Sequence, residues 1–399
     1  VARTHRARIE GVRARKIVDA GQPRQIMSMA AAEHEEKLDR VARVAQAAGV
    51  QGVLLAAHHN IAWLTSGRAN RIDASRETGT ARLLIAADGR RFVLANAIEM
   101  PRLQDEALAG LDYQPIEYAW TDDQDPSHAV RMARTLVGNG ARLAADWPLP
   151  DVAVVESTLA RARAPLTDGE IERYRALGAD AGRMLGAVCR ALTPGDDERD
   201  ISRAVMDGAT ALRARPVVSL VGSDERLRRY RHPVPTATAW KHVVMVALCA
   251  ERDGLVVSLS RIVSAGGPSD LDERTRATAA VFGALLDATR PGAGAASLYG
   301  VAGDAYAAAG FPGEERKHHQ GGAIGYRTRE WVAHPRAQEV VQARQAFAWN
   351  PTIAGTKIED TALVIDDRLE MLTSTPDWPS ISLGTPDRPV HASDIWRLT

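Results

Sequence analysis

The segment from His242 to Gly266, HVVMVALCAERDGLVVSLSRIVSAG, limits the fold more than any other part of the sequence. It contains two long apolar runs separated by Asp253-Gly254, a residue pair that is typical of a tight β-hairpin turn. The segment therefore predicts two long antiparallel strands.

Helical patterns lie on both sides of this hairpin. LTDGEIERYRALGADAGRMLGAVCRAL predicts a long helix that begins with a capping box, with Thr167 as N-cap and Glu170 three residues later. TPGDDERDISRAVMDGATALRA predicts a second helix before the hairpin, and two more follow it. Further strands are predicted in QAFAWNPTI and DTALVID. Helices followed by antiparallel strands indicate an α+β domain with internal pseudo-repetition.

The residues before this domain predict a smaller α/β unit. Leu38, Val41, Val44 and Ala45 give Glu33–Ala48 the spacing of an amphipathic helix. A buried strand, GVLLAA, and a hairpin, ARLLIAADGRRFVLAN, come after it. We expect a disordered leader or a start assigned too early at residues 1–30, an N-terminal domain at 31–160, and the larger domain at 161–385.

Composition excludes several classes of protein. The 399 residues are 45% hydrophobic and 25% charged, as is typical of a globular enzyme. The formal net charge is zero and no basic patch occurs, so a nucleic-acid partner is not expected. No run of eighteen apolar residues occurs, so no membrane span is predicted. Only Cys189 and Cys249 are present, which favours a reducing compartment and a cytoplasmic location.

Four motifs carry a resemblance to a known family: LTDGEIERYR, RHPVPT, GGAIGYRTRE and NPTIAGTKIEDTALV. With the order of elements, they resemble the creatinase, methionine aminopeptidase and prolidase superfamily. The resemblance implies a pita-bread C-terminal domain preceded by the smaller α/β domain of creatinases and prolidases. It also implies a homodimer.

The resemblance also implies where two metal ions would bind in related hydrolases. Their five ligands are two aspartates eleven residues apart, one histidine and two glutamates. In this chain those positions hold Ala247, Ser258, Gly322, Asn350 and Glu359. A single carboxylate cannot hold two divalent cations, so we expect no metal and no cofactor.

His318 and His319 lie three or four residues before the lost histidine position. We expect them to pack in a loop, with one ring hydrogen-bonded to backbone. Metal ligation by either of them together with Glu359 stays open as an alternative.

Two residues are predicted to act in catalysis. By resemblance to creatinase, which works without metal, His232 in RHPVPT would be the general acid and base. Histidine suits this role because its pKa lies near neutrality. Glu359 would bind a cationic substrate group or orient the attacking water. The alternative for Glu359 is a buried ion pair with Arg327 or Arg329.

A second set of residues is predicted to bind substrate. Arg329 stands where the aligned metalloenzymes have a histidine, and it would bind a carboxylate or an oxyanion. Tyr326 and Asn350 would donate hydrogen bonds, and Gly321, Gly322 and Gly325 would let a small ligand approach the backbone closely. Ser260 replaces the glutamate with which creatinase holds a guanidinium, so creatine itself is not the expected substrate. Arg68 and Arg71 would reach the pocket of the neighbouring subunit.

These residues predict a metal-independent hydrolase that cleaves a C–N bond in a small carboxylated substrate. One alternative is a metal-dependent Xaa-Pro aminopeptidase or prolidase. The other is a non-catalytic pseudo-peptidase that binds a peptide or a partner protein.

Overall fold

A computed structural model describes residues 23–366, 368–385 and 388–398 of the chain. Nine helices are labelled in these residues: α1 Pro23–Ala48, α2 His58–Leu64, α3 His128–Val137, α4 Glu156–Arg163, α5 Asp168–Arg190, α6 Glu198–Ala211, α7 Asp224–Arg229, α8 Leu271–Ala288 and α9 Ala295–Ala308. Met100–Arg102 is a further short helix, continued by a π-helical turn at Leu103–Ala107. No helix in these ranges is long and apolar enough to cross a membrane.

The strands fall into an N-terminal and a C-terminal group. The N-terminal group is β1 Gly52–Ala57, β2 Thr78–Ala86, β3 Arg91–Asn96, β4 Gln114–Tyr118, β5 Leu143–Ala145 and β6 Ala153–Val154. The C-terminal group is β7 Arg215–Ser223, β8 Val243–Arg252, β9 Leu255–Ser264, β10 Gly321–Ile324, β11 Ala346–Trp349, β12 Thr352–Ile353, β13 Thr356–Lys357, β14 Asp360–Ile365, β15 Arg368–Met371, β16 Ser380–Thr385, β17 Arg388–Ser393 and β18 Ile395–Arg397.

The N-terminal strands form one mixed sheet in the order β4-β3-β2-β1-β5-β6. The predicted helix, strand and hairpin are all present, and the hairpin turns at Asp88-Gly89. Most of the predicted leader, residues 1–22, lies outside the described residues. Residues 23–30 instead form the first turns of α1.

The C-terminal domain is built around the predicted hairpin. Strands β8 and β9 pair along their whole length from Val243↔Ser264 to Arg252↔Leu255, and Asp253 and Gly254 turn with φ of 51° and 77°. This hairpin belongs to a sheet ordered β18-β9-β8-β7, and a second sheet, ordered β10-β11-β14-β15, contacts it through β14 and β9. Because β18 pairs with β9, this domain extends past residue 385, the end expected from the sequence.

The predicted capping box at the start of α5 is present. Glu170 N–H donates to Thr167 Oγ1 at 3.2 Å, and Thr167 N–H donates to Glu170 Oε2 at 2.7 Å. The cap fixes where the helix begins, and the helix then packs against β9. The α+β architecture and the two-part arrangement expected from the sequence are confirmed.

The two C-terminal sheets are joined at the strand that follows Glu359. Ser260 N–H donates to the carbonyl of Glu359 at 2.9 Å, and Thr361 Oγ1 donates to the carbonyl of Ser258 at 2.9 Å. As the alternation of a strand predicts, Asp360 faces the other way, where it pairs with Arg261 at 3.0 Å. Glu359 is thereby aimed at the space between the sheets.

Candidate functional site

A cavity of about 270 Å³ lies between the two C-terminal sheets. Residues far apart in the sequence converge on it because β7, β8, β13 and the residue that follows β11 present side chains to this space. Its lining consists of Val218, Leu220, His232, Ala247, Leu248, Cys249, His319, Thr328, Arg329, Asn350, Lys357 and Glu359. The structure thus brings together His232, Arg329, Asn350 and Glu359, four residues that the sequence predicted to form one site.

His232 lies at the exposed side of the cavity in the loop before β8. The preceding residue fixes this loop, because Arg231 is ion-paired with Glu314 and donates to Thr352 Oγ1 at 3.2 Å. Partial burial lowers the pKa of His232, the charges of Lys357 and Arg329 lower it further, and Glu359 opposes the shift. The imidazole is therefore uncharged at pH 7 and can accept a proton.

His318 and His319 adjoin His232, which the sequence did not predict. The Nε2 atoms of His318 and His232 are 2.9 Å apart, and the rings of His318 and His319 stack at 4.4 Å. The expected ring-to-backbone hydrogen bond is not found, since Nδ1 of both rings has no partner among the described residues. Burial holds the pKa of His318 far below its usual range and lowers that of His319 to about 4. Both rings are neutral.

Two cations flank the single carboxylate of the cavity. Arg329 Nη2 lies 3.2 Å from Glu359 Oε1, and Lys357 Nζ lies 3.9 Å from Glu359 Oε2. The ion pair between Arg329 and Glu359 is one of the two that were predicted from the sequence as the alternative role of Glu359. Asn350 Nδ2 lies 3.5 Å from the same Oε1 atom, while Asn350 Oδ1 has no partner in the described part of the chain. Lys357 was not singled out from the sequence, where TKIED gives no sign that this lysine is buried.

Cys249 is a neutral member of the lining. Burial raises the pKa of its thiol to about 11, and Ser258 Oγ donates to its sulfur at 3.1 Å. The side chain is therefore protonated at neutral pH and contributes no charge to the cavity.

Two predicted substrate contacts lie outside the cavity. Tyr326 is buried between the two domains, where its hydroxyl donates to Glu170 Oε1 at 2.7 Å and its ring lies beneath the ammonium of Lys37. Ser260 is fully buried on β9 and contributes its backbone N–H to the Glu359 carbonyl. Neither residue lines the cavity.

The N-terminal arginines are also engaged within this chain. Arg68 donates to the carbonyl of Ala109 at 2.5 Å, next to the π-helical turn, and Arg71 lies 3.8 Å from Glu251 at the end of β8. Contact with a neighbouring subunit stays a prediction for both.

The three glycines near the site each lie close to another part of the protein. A Cβ on Gly321 would lie 2.1 Å from the carbonyl oxygen of Ala348, and one on Gly322 would lie 2.2 Å from that of Trp331. At Gly325 the nearest group is the Glu330 side chain. At Gly321 and Gly322 the missing side chains allow the protein's own backbone segments to pack. Close approach of a ligand to these glycines stays a prediction.

A larger surface cleft of about 480 Å³ lies near the start of α8. Its main acidic residue, Asp270, is held by Arg228 at 3.1 Å and by Arg274 at 2.7 Å. The cleft contains none of the residues predicted to act, so the smaller cavity is the candidate site.

Residues 172–366 match the family model of metallopeptidase family M24. No curated protein matches the sequence. Among solved structures, dipeptidase PepE from Mycobacterium ulcerans is 20% identical with a TM-score of 0.73, over 92% of this chain and 99% of that chain. Prolidase from Pyrococcus horikoshii OT3 is 18% identical with a TM-score of 0.71, over 85% and 98%. Xaa-Pro dipeptidase from Bacillus anthracis is 17% identical with a TM-score of 0.70, over 92% and 100%.

The family model covers most of the C-terminal domain, and the three solved structures cover both domains. The chain therefore has the pita-bread fold, and residues 172–366 of its C-terminal domain are similar to metallopeptidase family M24.

The two-metal site of the family does not fit the residues present. Ala247 and Gly322 have no side-chain atom that could bind a metal ion, and a side chain at Gly322 would collide with the Trp331 carbonyl. Ser258 is directed to Cys249. The remaining carboxylate, Glu359, already has two cations beside it. Two more divalent charges would meet repulsion and too few ligands.

One other group in the described residues has the geometry to hold a metal ion. The three imidazoles of His232, His318 and His319 offer nitrogens that all lie within 4.8 Å of one another. Neutral imidazoles suit a single transition-metal ion. However, the positive charge of Lys357 acts on all three rings, that of Arg329 acts on His232 and His319, and both oppose a cation there.

Proposed function

We propose that the protein is a metal-independent hydrolase that cleaves a C–N bond in a small carboxylated substrate. The proposal rests on the observation that His232 and Arg329 line the same cavity. A proton acceptor and a fixed cation can therefore act on the same bound substrate. The volume of about 270 Å³ is below the roughly 300–1,000 Å³ usual for drug-sized ligands, which favours a small substrate.

His232 transfers the proton in this proposal. His318 accepts a hydrogen bond from Nε2–H of His232, which leaves Nδ1 of His232 as the basic atom. Nδ1 takes a proton from water as the water oxygen bonds to the scissile carbon. The resulting imidazolium then protonates the departing nitrogen as the C–N bond breaks, so the histidine returns to its neutral form.

Arg329 and Asn350 hold the substrate. The Nε–H of Arg329 and the Oδ1 of Asn350 are buried polar groups with no partner among the described residues, and both belong to side chains of the lining. Such groups favour a polar ligand. Glu359 orients Arg329 through their ion pair, so a cationic substrate group is not required.

The test is a screen of amidines, ureas, N-methyl amino acids and proline dipeptides, with and without EDTA. The expected result is turnover of a carboxylated compound that EDTA does not reduce and that His232→Ala abolishes while the fold is retained. Full activity of His232→Ala would remove the mechanism. Turnover of proline dipeptides that EDTA abolishes would favour the metal-dependent peptidase.

The three-imidazole cluster is the specific observation behind that second candidate. A single metal ion held by His232, His318 and His319 would be detected as one equivalent per chain, and His319→Ala would remove it. If none of the compounds is hydrolysed, a non-catalytic binding protein becomes the better interpretation.

We also propose a cytoplasmic homodimer. Light scattering on the purified chain tests the dimer, and Arg68→Ala or Arg71→Ala would lower turnover only if these residues reach the partner's cavity.

A further inference from the structure

Lys357 is a buried lysine at the catalytic cavity whose charge is not neutralised by a partner of its own. The side chain is 2% exposed, and its nearest acidic atom is Glu359 Oε2 at 3.9 Å, beyond hydrogen-bond distance. No hydrogen bond of its ammonium is found within the described ranges. Glu359 is also the partner of Arg329, at the shorter distance of 3.2 Å.

Lys37 shows how the same chain satisfies a buried ammonium elsewhere. Its side chain is 0% exposed, and its nitrogen lies 2.5 Å from Glu33 and 2.7 Å from Glu170. It also donates to the carbonyl of Trp63 at 2.8 Å. Lys37 therefore has two carboxylates and a carbonyl, whereas Lys357 shares one carboxylate with an arginine.

The charges of the cavity lining do not balance. Lys357 and Arg329 are the basic side chains of the lining, and Glu359 is its one carboxylate. Burial lowers the pKa of Lys357, and the charge of Glu359 opposes that shift. His319 and His232 are neutral imidazoles, and Cys249 is a neutral thiol. A buried positive charge without a counter-ion is costly, and an anion in the cavity offsets that cost. A metal cation would increase it.

We propose that Lys357 and Arg329 together form an anion-binding site, in which two fixed protein cations replace the metal ions of the family. The anion is a carboxylate or the oxyanion formed when water adds to the scissile carbon. This inference deepens the proposed function and, for the oxyanion, rests on it. The two sources are distinguishable, because loss of a carboxylate contact raises KM and loss of oxyanion stabilisation lowers kcat.

Anion binding is tested without turnover by calorimetric titration with acetate and with its neutral isostere acetamide, at constant ionic strength and pH 7.5. The proteins are wild type, Lys357→Met, Lys357→Arg and, as matched control, Lys241→Met at an exposed lysine. Wild type, Lys357→Arg and Lys241→Met are expected to prefer acetate to acetamide by about tenfold or more, and Lys357→Met to lose that preference. Circular dichroism verifies the fold of each variant.

Two results would overturn the inference: acetate binding to Lys357→Met as tight as to wild type, or no preference for acetate over acetamide in wild type. If acetate binding depends on Lys357 but no compound is hydrolysed, the anion-binding site stands and the proposed function fails. If a substrate is hydrolysed with kcat and KM unchanged by Lys357→Met, the proposed function stands and this inference fails.

Discussion

The Nε2 atoms of His232 and His318 lie 2.9 Å apart, although the residues are 86 positions apart in the chain. One of the two nitrogens must carry the shared proton. His318 is buried, and its pKa is far below the usual range, so it stays neutral when His232 becomes charged. A neutral acceptor beside His232 fixes the orientation of the ring and stabilises the N–H of the imidazolium.

His318→Ala is therefore expected to lower kcat by up to about a hundredfold with little change in KM, because His232 remains but is no longer oriented. His242→Ala, at an exposed histidine outside the cavity, is the control and should have no effect. Steady-state kinetics on both variants make the comparison. An unchanged kcat for His318→Ala would show that the contact does not position His232.

The pH profile of kcat/KM should have an acid limb set by His232. Partial burial and the charges of Lys357 and Arg329 lower its pKa below 6.5, so activity is constant near neutrality and falls at lower pH as the ring is protonated. Removing the ammonium in Lys357→Met raises the pKa of His232, and the limb moves to higher pH. A limb that stays in place would mean that Lys357 does not act on His232.

The two buried lysines should differ in their contribution to stability. Lys37→Met leaves Glu170 buried without its cation, while Glu33 keeps Arg173 at 2.8 Å. The loss of the Glu170 partner is expected to lower the free energy of unfolding by about 3–5 kcal/mol. Lys357→Met leaves Glu359 paired with Arg329, so the free energy of unfolding should stay the same or increase. Urea denaturation measures both. A loss for Lys357→Met as large as that for Lys37→Met would make Lys357 a structural residue.

Restoring a histidine at the family's ligand position should fail. The Cβ of Gly322→His would lie 2.2 Å from the Trp331 carbonyl, so we expect about 1–3 kcal/mol of destabilisation and no gain of manganese or zinc binding. Gly89→Ala is a suitable control because nothing lies within 4 Å of its Cβ, although its positive φ of 90° adds some strain of its own. Tight metal binding by a stable Gly322→His protein would show that the cavity accepts cations.

Much of the fold was predictable because its signals are local. The turn at Asp253-Gly254 and the capping box of Thr167 and Glu170 each depend on a few neighbouring residues, and both are present. The pairing of β18 with β9 depends on contacts more than 130 residues apart, and no local pattern indicates it.

The site was predictable where a family motif fixed the position in the fold. The motifs place four of the predicted residues in one cavity: His232, Arg329, Asn350 and Glu359. Tyr326 was predicted to contact substrate, but its hydroxyl faces Glu170 at the domain interface. The ability of a side chain to form hydrogen bonds does not indicate which side of a loop it faces. Lys357 was missed because a lysine in a polar motif is normally exposed.

Anomalous diffraction from crystals soaked in manganese bromide, recorded at the absorption edges of both elements, tests most directly whether the cavity binds anions or metal ions. We predict bromide in the cavity in contact with Lys357 and Arg329, and no manganese there. Manganese bound to Glu359, or to His232, His318 and His319, would contradict it.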